Sequence, residues 1–404
     1  MIPSLPKVWL LPLYVSPKLA TAKSTGVQYI DLSESYPGYL KKEGSDITLD
    51  LSTILMKPNS IDKGYTSNLD EVSNHDDLGQ LYATTWDGNI QFILRKYYRS
   101  NMNSTFMFNA ASYGGTTSWI ITDLSISSQF MLPDLVYKVQ LSLDYIHEWF
   151  SIYKLKDEIS KTSQSPLLKI DDLSFNGVSF SFKLGSDQKI QSIAQRYKNI
   201  TLNSVIVIEF DEPQNRDFVF DLAIQLRNLF QLIFNKDVGL HKILYNENRS
   251  LRNGTLIAKD ERENWFISQS YLPDKPNYKK RNFDNTYTDI QSEFGLVLKK
   301  FFSSEKIQEL TSRYLITKQF KIPIISGFLT LSARVENFFN GATFSNGDKV
   351  KNLENKLTKL FNYTWSTDPN TEEIIRMIKD NRDYYIHGDK SDKKLNELDL
   401  LPIY

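Results

Sequence analysis

The apolar residues of this chain keep a period near two through most of its first part and a period of 3.6 through its last part. The change falls at the polar, proline-containing run Pro273–Asn285. A period of two buries one face of a strand, and a period of 3.6 buries one stripe of a helix. No single repeating architecture accommodates both. The expected fold class is therefore α+β: a β-rich N-terminal region with one or more packed helices over residues 1–275, then an all-α bundle over residues 286–404.

Within the first region, Leu81–Trp86 and Ile90–Tyr97 flank Asp87-Gly88, and Phe175 and Val178–Phe182 flank Asn176-Gly177, two hairpin signals. Lys138–Asp144 alternates, and Val205–Phe210 reads as a buried strand. Val219, Leu222, Ala223, Leu226, Leu229, Phe230 and Ile233 share a face of a helix over Asp217–Phe234, which should pack on the sheet. Strands resume at His241–Tyr245, Thr255–Ala258 and Trp265–Tyr271, with Asn253-Gly254 as a turn. Lys57–Asn74 and Ser160–Ser165 read as surface loops.

In the second region, five stripes predict five helices. Ile290, Phe294, Leu298 and Phe301 mark the first; Ile307, Leu310 and Tyr314 the second; Phe328, Leu331, Val335 and Phe338 the third, ended by Asn340-Gly341. Val350, Leu353, Leu357, Leu360 and Phe361 mark the fourth, closed by Trp365. The fifth starts at the cap Asp368-Pro369, carries Ile375, Ile378, Arg382 and Tyr385 at helical spacing, and stops near Gly388.

That fifth helix holds the chemistry. Arg382 and His387 stand five positions apart, with Asp383 directly after the arginine. On an unbroken helix they point about 140° apart. A helix ending between Tyr385 and Gly388 would let the imidazole turn back toward the guanidinium. An arginine that binds phosphate oxygens at any pH, beside a group titrating near neutrality, suits phosphodiester chemistry. The competing reading is a solvated ion-pair cluster of Arg382 with Asp380 and Asp383 at a helix end that favours cations.

Charge and composition narrow the rest. Lys and Arg number 48 against 48 Asp and Glu, so no overall field draws the chain to nucleic acid or anionic lipid. Any RNA contact must be a local patch, drawn from Arg376, Lys379, Arg382, Lys390, Lys393 and Lys394 against Asp380, Asp383, Asp389 and Asp392. There are no cysteines, which excludes disulfides and thiolate metal sites. Pro3, Pro6 and Pro12 interrupt the apolar N-terminus and argue against a cleaved leader, so a cytoplasmic location is expected, with no membrane partner. His75 reads as a loop residue, and His147 with Trp149 as packing at a strand end.

The segment Arg382-Asp-x-x-x-His387, closing a run of amphipathic helices, resembles the active-site motif of HEPN domains: an arginine, a polar residue, a short spacer and a histidine. The strand around Trp86-Asp-Gly88, the segment Leu141–Trp149, the strand and helix over Val205–Ile233, and Ala333-Arg-Val-Glu336 taken in order resemble ApeA-type HEPN proteins of bacterial anti-phage defence. The resemblance implies a metal-independent endoribonuclease with no cofactor, acting on RNA, tRNA among the plausible substrates, as an abortive-infection effector. It implies catalytic roles for Arg382, His387 and Asp383, and supporting roles for Glu336, Asn381, Tyr384 and Tyr385. It also implies pairing of the helical bundles as a homodimer or higher even oligomer; because nothing in Met1–Tyr271 gathers titratable residues at catalytic spacing, that region is expected to sense a phage-derived trigger rather than do chemistry. HEPN domains usually carry a helix after the histidine, and Leu395–Tyr404, interrupted by Pro402, supplies barely two turns; a domain short of its last helix is expected. The tyrosines are candidates for base stacking, with simple packing as the alternative. Two further readings stand beside the nuclease: a non-catalytic binding or regulatory protein using the bundle as a partner surface, and a ligand-binding β domain fused to a helical anchor.

Overall fold

The computed structural model describes residues 9–23, 28–43, 46–52, 79–105, 114–127, 130, 135–150, 168–192, 198–247, 249–252, 255–258, 262–267, 269, 286–319, 322–343, 347, 349–364 and 370–387. The chain divides into two compact units, one of residues 1–173, 177–223 and 238–289, the other of 174–176, 224–237 and 290–404. Several sequence expectations lie outside the described residues: the loops Lys57–Asn74 and Ser160–Ser165, His75, Asn253-Gly254, the run Pro273–Asn285, Trp365, the cap Asp368-Pro369, and everything from Gly388 onward.

The first unit begins with β1 (Trp9–Ser16), the short pair β2 (Ala20–Thr21) and β3 (Gln28–Tyr29), β4 (Tyr36–Glu43), β5 (Asp46–Leu51), β6 (Leu81–Thr85), β7 (Gln91–Thr105) and β8 (Gly114–Ser127). Antiparallel pairing runs β8-β5-β4-β1-β6-β7, and β7 pairs again with β8, so six strands close into a barrel. Inward positions alternate along each strand and are apolar: Leu13, Val15, Leu40, Leu49, Ala83, Phe92, Leu94 and Trp119 are all essentially buried. On β8 the buried positions change parity, from Trp119 and Ile121 to Leu124 and Ile126. The register against β7 slips there, between Leu94 and Lys96 and on to Tyr97, as expected of a bulge. At the same place β8 leaves β5, which it pairs through Thr117–Ile120, and takes up β16 through Asp123–Ile126. Gly38 has to be glycine: a Cβ there would lie 2.6 Å from the Asp50 carbonyl oxygen on the paired strand.

From β8 the sheet continues through β16 (Arg262–Ile267), β13 (Leu240–Glu247), β9 (Leu135–Leu143), β12 (Lys198–Asn215), β11 (Val178–Ser192) and β10 (Leu168–Phe175). Both predicted hairpins form. Asn176 and Gly177 take φ of 48° and 81°, the positive pair a type I′ turn demands. At the other, Asp87 accepts from Asn89 N at 3.1 Å and Asn89 Nδ2 at 2.7 Å, and Gly88 takes φ of 73°. Val205–Phe210 lies within β12, but its burial alternates, with Ile206, Ile208 and Phe210 inward; it is half-buried rather than sandwiched. His147 and Trp149 sit not at a strand end but in the one-turn helix α1 (Ile146–Trp149), entered through Tyr145 at φ 64°. Trp149 is buried, edge-on to Tyr287 with ring centroids 5.2 Å apart.

The predicted helix after β12 is α2 (Arg216–Phe234). Its first part counts with the sheet unit, where Phe218 meets Phe210 at 6.0 Å and Lys96 stands 4.8 Å over the Phe220 ring. Its second part counts with the helical unit: Asn228 Nδ2 donates to Ser312 Oγ at 3.3 Å, Lys318 Nζ donates to Asn235 Oδ1 at 2.7 Å, and Phe230 meets Phe294 at 6.2 Å. The expectation that this helix packs on the sheet therefore holds for half of it.

The helices that follow are α3 (Tyr287–Ile290), α4 (Phe294–Phe302), α5 (Glu305–Gln319), α6 (Ile324–Phe338), α7 (Leu353–Thr364) and α8 (Thr371–His387). Ile290 and Phe294, expected on one helix, fall on two, because the chain turns at residues 291–293. The residues buried on α5 are Gln308, Thr311, Leu315 and Thr317, the first three one position over from the predicted stripe. The reason is polar satisfaction. Gln308 Nε2 donates to the carbonyls of Phe301 and Phe302 at 2.9 and 3.0 Å, closing the end of α4, so the amide is turned inward. Helices α6, α7 and α8 share a core of Phe328, Leu353, Leu357, Phe361, Ile375 and Ile378. The α+β class, with a β-rich N-terminal region and a helical C-terminal region, stands as read from the periods.

Candidate active site

Helix α8 presents its apolar side through Ile375 and Ile378, and Asn381 continues that stripe at 1% exposure. Its amide donates to the Met377 carbonyl at 2.9 Å. The stripe expected to run through Arg382 thus passes through Asn381, and Arg382 lies beside it, half-buried.

There Arg382 meets two carboxylates. Nη2 donates to Glu336 Oε2 at 2.7 Å, and Nη1 donates to Asp383 Oδ1 at 2.9 Å. Glu336 comes from the last turn of α6, so the pair ties α8 to α6; the side chains are only 21% and 26% exposed. The Asp383 hydrogen bond, helped by the charge of Glu336 and opposed by partial burial, raises the guanidinium's pKa above its already high value. Arg382 is a permanent cation. Its Nε is buried without a hydrogen-bond partner, so the fork is held at its two ends only.

His387 is the last described residue of α8 and is exposed. It has no hydrogen-bond partner among the described residues. The helix is continuous from Arg382 to His387, so the backbone does not bend between them and the two side chains leave the axis about 140° apart. The turning-back of the imidazole that the sequence suggested does not occur within this segment. Tyr384 and Tyr385 are partly buried and meet edge to face at 5.1 Å, and Tyr385 packs on the shared core of α6–α8. The structure thus brings Arg382, Asp383 and Glu336 together, puts Asn381 beneath them, and leaves His387 apart. Of the expected basic set, Lys379 is paired with Glu354 at 3.3 Å and Arg376 is exposed; Lys390, Lys393 and Lys394 lie outside the described residues.

Sequence reasoning missed Lys356 on α7, only 5% exposed, whose Nζ donates to the Glu336 carbonyl at 2.8 Å. The signal was legible. Lys356 occupies a core position of the stripe Leu353, Lys356, Leu357, Leu360, where a lysine needs a buried acceptor.

The helices from α4 to α8, with the arginine and histidine on the last of them, fall within a match to a HEPN family model, a nuclease-like, defence-related class whose members are generally of ribonuclease type. Within that class the match is to the Apea-like HEPN family, whose model covers residues 277–404, so the C-terminal region of this chain is similar to an Apea-like HEPN domain. No curated protein and no solved structure matches the chain. Among the described residues, no helix is long and apolar enough to cross a membrane.

Proposed function

We propose that the protein is an endoribonuclease that cuts RNA by attack of the 2′-hydroxyl on the adjacent phosphate, and that it serves as an abortive-infection effector against phage. The observation that carries the reading is Arg382, held by Glu336 and Asp383 on the same helix as an exposed His387, within the region that matches a HEPN family model. In the reaction the 2′-oxygen forms a bond to phosphorus and the bond from phosphorus to the 5′-oxygen breaks, leaving a 2′,3′-cyclic phosphate and a 5′-hydroxyl. A proton leaves the 2′-hydroxyl and another reaches the departing 5′-oxygen. His387 carries one of these transfers, a role typically worth about 10²–10⁴ in rate. Arg382 holds the phosphate and its developing charge, and Asp383 orients it.

One motif histidine per chain serves one proton. Because Arg382 and His387 diverge on a continuous helix, a second copy paired through the helical unit is the simplest source of the missing group, and an isologous contact brings both motifs to one cleft. The N-terminal β unit then acts as the sensor of a phage-derived trigger, keeping the helical unit silent until infection.

A second reading, a non-catalytic partner-binding protein, draws on the same ion pairs: with both terminal nitrogens engaged by carboxylates, Arg382 also suits a structural tie between α6 and α8. The purified chain, incubated with total RNA in EDTA, is expected to yield cyclic-phosphate ends, and His387→Ala is expected to lower cleavage by about 10²–10⁴-fold. Cleavage that vanishes on chelation would reject the metal-independent mechanism. Full biological activity in His387→Ala would favour the binding reading. Mixed His387→Ala and Arg382→Ala chains regaining activity would support a shared cleft.

A further inference from the structure

The C-terminal end of α6 gathers ammonium groups. Lys356 Nζ, from α7, donates to Glu336 O at 2.8 Å and to Asn340 Oδ1 at 3.3 Å. Lys306 Nζ, from α5, donates to Asn340 O at 3.3 Å, and Lys359 Nζ, one turn beyond Lys356, donates to Thr343 O. Lys349 and Lys351, both exposed, are brought to the same place, because Thr343 bridges Lys349 and Val350 N donates to Ala342 O at 2.9 Å.

A helix C-terminus carries about half a negative charge, so the buried Lys356 alone more than offsets it. The other four lysines exceed what the helix end needs. Among the described residues, nearby carboxylates are engaged elsewhere: Glu309 with Arg334, Glu354 with Lys379, and Glu336 and Asp383 with Arg382; Asp348, next to Lys349 in the sequence, offsets one lysine at most. Glu305 lies in the first turn of α5, where it offsets that helix's own positive end. The surplus is therefore local and positive in a chain of zero formal charge. It also adjoins the candidate site through one residue, since the Glu336 carbonyl accepts from Lys356 while its carboxylate accepts from Arg382.

We propose that this lysine surface, formed by Lys306, Lys349, Lys351 and Lys359 around the buried Lys356, binds the phosphate backbone of the RNA on one side of the linkage that Arg382 and His387 cut. The proposal rests on the ribonuclease reading and adds where the strand runs. Lysine ammoniums act as point charges on phosphates, without the planar fork that reads base edges, so the surface confers affinity and salt dependence rather than sequence preference.

The test uses the full chain carrying His387→Ala, so that RNA is bound without being cut, and a fluorescein-labelled single-stranded RNA followed by anisotropy between about 50 and 200 mM salt. Each lost phosphate contact lowers the slope of log K against log salt by about 0.7 for a single strand. Adding Lys306→Glu, Lys349→Glu and Lys351→Glu is expected to flatten that slope by about 2 and to weaken binding more than tenfold. The pair Lys349→Glu and Lys351→Glu alone, which removes no hydrogen bond to α6, is expected to flatten it by about 1.4. Lys18→Glu, in the β unit, should change neither quantity. RNA bound with unchanged slope and affinity by both lysine variants overturns this inference and leaves the ribonuclease reading standing. A His387→Ala chain that does not bind RNA, together with an unsubstituted chain that does not cut it, overturns both.

Discussion

The barrel and the helical bundle solve burial differently. In the barrel, the core residues from Leu13 to Ile126 are each 3% exposed or less, and the closed ring leaves no free edge among its six strands. In the bundle, the core residues of α6–α8 are 3% to 9% exposed, and the same helices bury Ser332, Lys356 and Asn381. Strand alternation seals one face completely; a helix buries a stripe and leaves its flanks for other work. The polar groups on those flanks fix how α6, α7 and α8 sit against one another, which a purely apolar stripe fixes less sharply. The barrel strands bury a charged cluster too, Arg95 on β7 lying 3.9 Å from Asp123 on β8 and Arg216 donating to Ser125 Oγ at 3.0 Å, whereas the bundle holds the arginine, the histidine and the lysines of the candidate site.

If that contrast is real, equal injuries should have unequal effects. Phe92→Ala empties space in a core with no route for relaxation and is expected to cost about 3–5 kcal/mol. Leu357→Ala should fall near the lower end of its class, about 2–3 kcal/mol, because its partly exposed neighbours can close in. Native-state hydrogen exchange separates the two, since each unit reports its own opening where a single melting curve would blend them. Equal losses in both units would break the comparison.

The next effect is smaller and concerns the tie between helices. Glu336→Ala leaves Arg382 with Asp383 alone in a partly buried place. A fully buried pair broken this way costs about 3–5 kcal/mol, and exposure of a fifth to a quarter reduces that to about 1–2. If Glu336 positions the guanidinium, RNA cleavage should fall mainly in kcat with KM little changed, and Glu336→Asp should recover part of it. A loss of stability with unaltered kcat would reduce Glu336 to a brace.

These contrasts bear on how much the sequence disclosed. Local rules reached the hairpins, because Asn176-Gly177 admits the positive φ pair its turn needs, and they reached α2 and α6–α8 through apolar spacing. The barrel's closure was hidden, since β8 meets β5, β7 and β16 across long separations and changes face at a bulge that no period reveals. The buried face of α5 was misread because Gln308 and Thr311 look exposed by residue type. The motif Arg382-Asp383 was visible, but its partner Glu336 lies 46 residues earlier and was reached only through the family resemblance. Whether His387 would turn back toward Arg382 depended on where the helix stops, and helix ends are the least legible feature of a sequence.

The smallest effect concerns three charges on a partly exposed face of the sheet. Glu209 on β12 stands between Lys138 on β9, at 2.9 Å, and Lys183 on β11. Burial alone would raise its carboxyl pKa, but the hydrogen bonds and charges of the two lysines outweigh it and hold the pKa below the ordinary value. A carboxyl with a depressed folded pKa contributes stability above its unfolded pKa, about 4.3, and loses it as pH falls through the folded value. Glu209→Gln should therefore destabilise the β unit at pH 7 by less than about 1 kcal/mol, since the side chains are partly exposed and screened. The difference between parent and variant should shrink below about pH 4 and also on adding salt at pH 7. Hydrogen exchange at the β9 and β12 amides at neutral and acid pH is the measurement. A difference that persisted unchanged in acid would mean that Glu209 matters through shape rather than charge, and that the β unit depends on specific polar contacts as much as the bundle does.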